Sequence, residues 1–289
     1  MKLANVRVDG EARVGLVLGD EFVDLTTNLG VKCMDVAQLL AMGAEGHRLL
    51  ELAQRRAGPR RELHRSQLLA PVAPGDKILG VGMNYRSFVA GAGKLGLPIP
   101  TDLFWFMRPR SCLAGPYEDV LLPSGATDLD YEVELAVVIG KRCRNVSSTQ
   151  AADCIAGYTV ANDLTLRARA VKSPVLGKSF DTHTPMGPWL TTADEIGSID
   201  NLAIRGWING ELRQDSSTSD MVVNGYELIA EISRVCTLNA GDVILTGTPF
   251  GSGIFQPEPR LLRRGDVMKM EIEGLGFIEN RIVDEPEVP

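Results

Sequence analysis

The sequence predicts an α+β fold, mainly β, with a small N-terminal α/β appendage over residues 1–70 and a larger domain over 71–289. Three observations carry this. Strand-like apolar runs dominate from residue 77 to the C-terminus. Apolar residues at i, i+3, i+4 spacing occur in 35–57 and in Gly225–Val235. Between the two parts, Ala57–Gly75 is rich in Arg, Pro and Gly, with Pro59, Pro71 and Pro74, and reads as a domain boundary.

Taken in order, residues 5–26 read as two or three short strands punctuated by Asp9-Gly10 and Gly19-Asp20. Residues 35–57 place Val36, Leu39 and Leu40, then Leu49, Leu52 and Ala53, on helical faces interrupted near Gly43 and Gly46, which predicts one helix broken in two. His47 and His64 fall here among charged neighbours, as surface residues. Lys77–Gly82 is a short buried strand. Met83–Pro100, spotted with Gly91, Gly93 and Gly96, suits a mobile loop or lid better than a packed helix. Ile155–Asn162 reads as a strand and Asp163–Arg169 as the first turns of a helix, for which Asn162 or Asp163 could be the N-cap. Leu202–Trp207, Leu212–Gln214 and Val243–Thr246 are further strands, with Asn209-Gly210 as a hairpin turn. Val267–Glu273 and Phe277–Val283 close the chain as a strand pair.

Composition narrows the function. At a net charge of −7, with basic residues only in isolated pairs such as Arg55-Arg56, nucleic-acid binding is not expected. Met1–Asp9 has no signal-like apolar run, and no later segment reaches the roughly 18 apolar residues of a membrane span. A cytoplasmic protein with no membrane partner is therefore expected. Five cysteines (Cys33, Cys112, Cys143, Cys154, Cys236) without a C-x-x-C pair read as reduced thiols. No G-x-G-x-x-G opens a helix and no phosphate-binding P-loop occurs.

The stretch Asp130–Gly140 reads as a strand, so Glu132 and Glu134 share one face, with Tyr131, Val133 and Leu135 on the other. Two carboxylates about 7 Å apart among apolar residues repel each other and lose hydration unless a cation lies between them. A hard divalent metal would satisfy them, and a half-exposed strand with a solvated acidic face is the other reading.

Several segments in fixed order then match one pattern: Gly82-Met83-Asn84-Tyr85-Arg86, Gly115-Pro116, Asp130 to Leu135, Gly157 to Asp163, Lys178-Ser179-Phe180-Asp181, Gly187-Pro188, Val243 to Pro249 and Gly265-Asp266. Over roughly residues 75–284 the chain resembles the fumarylacetoacetate hydrolase superfamily. The resemblance implies a mixed β-roll or sandwich catalytic domain in which Glu132, Glu134 and Asp163 hold one divalent cation per subunit, Mg²⁺ or Mn²⁺ with Ca²⁺ as a further option. It also implies a homodimer and a small-molecule substrate with a β-dicarbonyl or 2-oxo acid group. Lys178 matches the family's active-site lysine, and Arg167 an arginine that binds carboxylate or orients substrate; without the resemblance they read as a loop cation and an exposed helix charge. Tyr85, Arg86 and Thr248 fall in segments expected to contact substrate, Thr248 being alternatively part of a β-turn.

The match fails at two places. Hydrolytic members of the family carry a His and, three residues later, a Glu on a short lid helix, and that dyad activates water. Phe88 and Gly91 stand in those positions here, and Ala170 replaces a polar Gln. The lost imidazole is worth roughly 10²–10⁴-fold in rate. Another base could act, with His183 the only histidine near the matched residues; the reaction could need none, as in decarboxylation or enol–keto isomerisation; or Phe88 could pack against a bulkier diketone. Phe104, Trp105 and Phe106 read as core or dimer interface, or as pocket lining. The expected activity is metal-dependent cleavage of a C–C bond in a β-diketone, acylpyruvate or related 2-oxo acid. The alternatives are a decarboxylase, isomerase or hydratase on the same scaffold, and a non-catalytic binding homologue.

Overall fold

The computed structural model describes residues 1–31, 35–56, 58–72, 77–256 and 258–286. Cys33 lies outside the described residues, as do residues 57 and 73–75 of the expected boundary segment.

The N-terminal strands Lys2–Val8, Glu11–Leu18 and Glu21–Asp24 form an antiparallel meander turned at Asp9-Gly10 and at Gly19-Asp20. The first strand also pairs with Thr184–Thr192, through Lys2↔Thr191 and Leu3↔Leu190. The meander thereby extends an 11-stranded sheet that continues through Ile155–Asn162, Val133–Ile139, Val243–Leu245 and Ile78–Gly82 to an edge strand, Phe104–Arg108. A second, five-stranded sheet holds Glu211–Ser217, Ala203–Ile208, Val267–Ile272, Gly276–Asp284 and Val120–Leu122.

Strand alternation places two cores on the two faces of Val133–Ile139. Val133, Leu135, Val137 and Ile139 join a core that includes Ile204, Met268, Met270, Ile278 and Ile282 of the smaller sheet. Ala136 and Val138 join another with Val36, Leu39, Leu50 and Ala53. Those four residues come from the helices Val36–Ala41 and Ala44–Arg55, the predicted broken pair, with Gly43 at φ 58° in the break. Each fully buried aliphatic side chain contributes about 1.5–3 kcal/mol of apolar transfer energy. A strand packed on both faces leaves no solvated acidic side, so that reading of Glu132 and Glu134 is corrected.

Three local expectations change. Arg86–Lys94 is a helix and not a loop, because its glycines meet aromatic and aliphatic neighbours: a Cβ at Gly91 would lie 2.6 Å from Phe250 and 3.1 Å from Phe255. The predicted helix from Asp163 begins only at Arg167; Thr165–Leu166 pairs first with Leu129–Asp130, and Asp163 caps nothing. Glu132 lies just before the regular strand and Glu134 within it. Elsewhere, Gly225–Val235 is helical as predicted, capped by Asn224 and Glu227. No helix among the described residues is long and apolar enough to cross a membrane.

Candidate metal centre

The ends of two paired strands build the site. Val133 lies opposite Asn162; the Asn162 side chain accepts from the Glu132 N–H at 3.0 Å, and the Asp163 N–H donates to the Glu132 carbonyl at 2.9 Å. Glu132, Glu134 and Asp163 are all buried, and one carboxylate oxygen from each lies within 4.8 Å of the other two. A fourth buried carboxylate, Asp130, accepts from the N–H groups of Tyr131, Gly253 and Ile254 at 2.8, 2.6 and 3.2 Å.

Three cations serve three of these four acids. Lys178 Nζ bonds Glu132 Oε2 at 2.6 Å and also Asp163 Oδ2. Arg167 binds Asp130 and, at 2.7 Å, Glu132 Oε1, with a further hydrogen bond to Ser252 Oγ at 3.2 Å. Arg108 pairs with Asp163 Oδ1. Glu134 is left with only the Gly247 N–H, at 2.8 Å, and no Lys or Arg partner among the described residues.

The electrostatics follow this uneven sharing. Burial raises the Glu134 pKa to about 8, Lys178 working against the rise and Glu132 adding to it. Burial also opposes ionisation of Glu132, yet Arg167 and Lys178 outweigh it and bring its pKa below the ordinary value. Lys178 itself is lowered, chiefly by burial. Three convergent carboxylates of hard oxygens, one without a cation, fit a divalent metal such as Mg²⁺ or Mn²⁺.

The structure thus brings Glu132, Glu134, Asp163, Lys178 and Arg167 together. Arg167's donors are engaged by the chain's own carboxylates, so its visible role is to hold Asp130 and Glu132. Tyr85 is fully buried, and its phenol is raised well above the ordinary value by burial and then by Glu134. Thr248 donates to the Val133 carbonyl at 2.8 Å and accepts from Gln214 at 2.9 Å. Arg86 donates to the Ser219 carbonyl at 3.1 Å. Phe88 packs edge-on against Phe255, ring centroids 4.8 Å apart. Ala170 meets Gly177, where a Cβ would lie 2.6 Å from the alanine's own, so a larger residue at 170 would press on the turn that carries Lys178. The His183 ring bonds the Leu121 carbonyl through Nε2 at 3.0 Å, and burial lowers its pKa to about 4. Arg108 was not singled out from sequence. Its available signal was the alternation with Phe106, which puts both side chains on one face of a strand.

A family model for the C-terminal region of fumarylacetoacetate hydrolase matches residues 77–283. The mitochondrial oxaloacetate tautomerase FAHD2B of Bos taurus is 44% identical over 219 residues, 74% of this chain and 69% of its own length. The solved fumarylacetoacetate hydrolase from Exiguobacterium antarcticum superposes with a TM-score of 0.84 at 32% identity, covering 99% of this chain and 100% of that one. Maleylpyruvate hydrolase from Sphingobium sp. SYK-6, in complex with manganese(II) and pyruvate, superposes with a TM-score of 0.82 at 31% identity over the same shares of both chains. The ordered motifs, the acid cradle and these likenesses agree: the chain belongs to the fumarylacetoacetate hydrolase superfamily.

Proposed function

We propose that this chain is a metal-dependent tautomerase, moving a proton between the enol and keto forms of a 2-oxo acid. The observation that carries the reading is the helix Arg86–Lys94. It packs beside the acid cluster, Phe88 against Phe255, which follows directly on the Gly253 and Ile254 N–H groups that hold Asp130. Yet it contains no His, Asp or Glu. Its Ser87 is committed to Asp220 and its Arg86 to Ser219. Hydrolysis needs a base that deprotonates water, whereas tautomerisation needs only a proton carried between an α-carbon and an oxygen.

Glu132, Glu134 and Asp163 would hold Mg²⁺ or Mn²⁺, which when bound acts as a Lewis acid on the 2-oxo group. Lys178 serves as the proton carrier: its ammonium bonds Glu132 and Asp163 within the acid cluster, and burial lowers its pKa from the ordinary lysine value. Arg167 fixes Asp130 and Glu132 so that the cluster keeps its shape. The Bos taurus relative, named an oxaloacetate tautomerase, supports this reading. The whole-length likeness to maleylpyruvate hydrolase favours C–C hydrolysis of an acylpyruvate as the second reading, with a base from outside the helix.

The test follows the ultraviolet enol band of oxaloacetate and of acylpyruvates with Mg²⁺ or Mn²⁺. Faster loss of the band than in buffer, without release of CO₂ or cleavage products, is expected. Cleavage of an acylpyruvate at a higher kcat/KM supports hydrolysis instead, CO₂ release indicates decarboxylation, and no turnover with either substrate supports a binding protein.

A further inference from the structure

We propose that Arg108 is the positioning residue of the site, fixing both the Asp163 carboxylate and the Lys178 backbone from the edge strand Phe104–Arg108; this rests on reading Glu132, Glu134 and Asp163 as a metal cradle. The Arg108 side chain is wholly buried. One arm of its guanidinium pairs with Asp163 Oδ1, and the other donates to the Lys178 carbonyl and to the His183 carbonyl, the latter at 3.0 Å. With Oδ1 taken, Oδ2 is the oxygen turned toward Lys178 and Glu132. Arg108 therefore selects which oxygen of Asp163 faces the cradle.

The Lys178 segment needs such an anchor. Pro174–Lys178 is barely one turn long, and its N-cap Ser173 makes no side-chain capping bond. Arg108 holds the carbonyl at the end of that turn. Two residues earlier on the same strand face, Phe106 lies under the lysine, its ring centroid 5.5 Å from Nζ. The paired neighbour strand Ile78–Gly82 leaves room for that ring: Gly80 lies opposite Phe106, and a Cβ there would meet the ring at 2.5 Å. The two alternate residues of one edge strand thus fix the backbone and the head of the same lysine. A guanidinium suits the task because its donors sit on separate nitrogens of a rigid planar fork, so one arm holds the carboxylate while the other holds the two carbonyls. A merely structural arginine would need partners for its charge, but not one partner on the candidate ligand Asp163 and another on the backbone of the candidate proton carrier Lys178.

The experiment compares R108M and R108K with wild type in Mn²⁺ affinity, read by electron paramagnetic resonance of free Mn²⁺, in thermal unfolding, and in kcat and KM for enol loss. R108M is expected to weaken Mn²⁺ binding about 10–100-fold, the range for a lost outer contact to a metal ligand. It should lower kcat more than it raises KM, because the misplaced group is Lys178. R108K should recover part of both losses through its one remaining bond to Asp163. Wild-type Mn²⁺ affinity and kcat in R108M, with only a lower melting temperature, would overturn the proposal. If R108M does not fold, R108K decides: wild-type values for both quantities overturn the proposal equally. The Mn²⁺ readout does not depend on turnover, so an inactive wild type refutes the tautomerase reading alone. A wild type that binds no Mn²⁺ overturns the cradle and this proposal together.

Discussion

The acid cradle and the helix Arg86–Lys94 lie side by side, joined through Phe255, and they are made of different materials. In the cradle, three of the four buried carboxylates, Asp130, Glu132 and Asp163, are bound to Arg108, Arg167 and Lys178 by named bonds, and Glu134 accepts from the Gly247 N–H. Across the joint, the helix turns Phe88, Gly91 and Ala92 inward and is fastened by rings, Phe88 to Phe255 and Phe255 to Phe250 at 4.9 Å. The cradle's cohesion is electrostatic and directional. The inward face of the helix is held by apolar contact, while Ser87 and Arg86 at its N-terminal end bond Asp220 and Ser219. A site whose cation-binding half is assembled from charge, while its neighbouring wall is assembled from packing, can hold a chelating substrate without offering water a base from that wall.

The largest expected effect breaks the cradle side. Glu132→Gln removes one of three candidate ligands and leaves Lys178 and Arg167 each short of a buried partner. Breaking a buried ion pair from one side typically costs about 3–5 kcal/mol. Mn²⁺ affinity should fall by more than the roughly 10–100-fold of a lost outer contact. Titration calorimetry checks the affinity, and unchanged Mn²⁺ binding in this variant would remove the metal from the account altogether.

Legibility in the sequence divides along the same line. The strands and the Gly225–Val235 helix were readable because their patterns are local. The acid triad was readable because Glu132, Glu134 and Asp163 arrive in a fixed order with Lys178 behind them. Arg108 was not, because its partners Asp163 and Lys178 lie far along the chain, and alternation with Phe106 gives its strand face but not what it meets there. The capping role considered for Asp163 lost to tertiary ion pairs with Lys178 and Arg108. In Arg86–Lys94, Gly91 and Gly93 resembled a loop by propensity, and the contact of Gly91 with Phe250 and Phe255 overrode it. The pairing of Lys2 with Thr191 joins residues 189 positions apart and leaves no local trace.

A second test asks whether His183 belongs to the chemistry or to the frame. Its imidazole is buried against Phe180, ring centroids 5.3 Å apart, and its pKa is lowered to about 4 from 6.5. Below pH 6.5 the unfolded chain takes up a proton there that the folded chain refuses, so stability is present above that pH and declines as pH falls toward 4, where the loss levels off. The full difference is about 3 kcal/mol. In His183→Gln this part of the acid sensitivity should vanish. Urea unfolding of both proteins between pH 7 and 4 checks it, and parallel stability curves would show that His183 titrates normally in the fold.

The smallest effect bears on why the helix side has a glycine where a base could stand. Gly91→Ala gains about 1 kcal/mol of helix propensity. Against this, the new Cβ would come 2.6 and 2.7 Å from two carbons of the Phe250 ring and 3.1 Å from Phe255. Phe250 is 44% exposed and can swing outward, but Phe255 is held by Phe88 from behind. Overpacking typically costs about 1–3 kcal/mol, so a net destabilisation of about 1 kcal/mol is expected. Phe250→Ala removes the nearest collision, and in that background Gly91→Ala should become neutral or stabilising. The coupling energy of the double-mutant cycle should be about 1 kcal/mol. A glutamate at 91 would meet the same two rings, so restoring a base to this helix requires moving the aromatic clasp first. If Gly91→Ala is already stabilising in the wild-type background, the clasp does not exclude larger side chains, and the absence of an acid at 91 reflects the reaction alone.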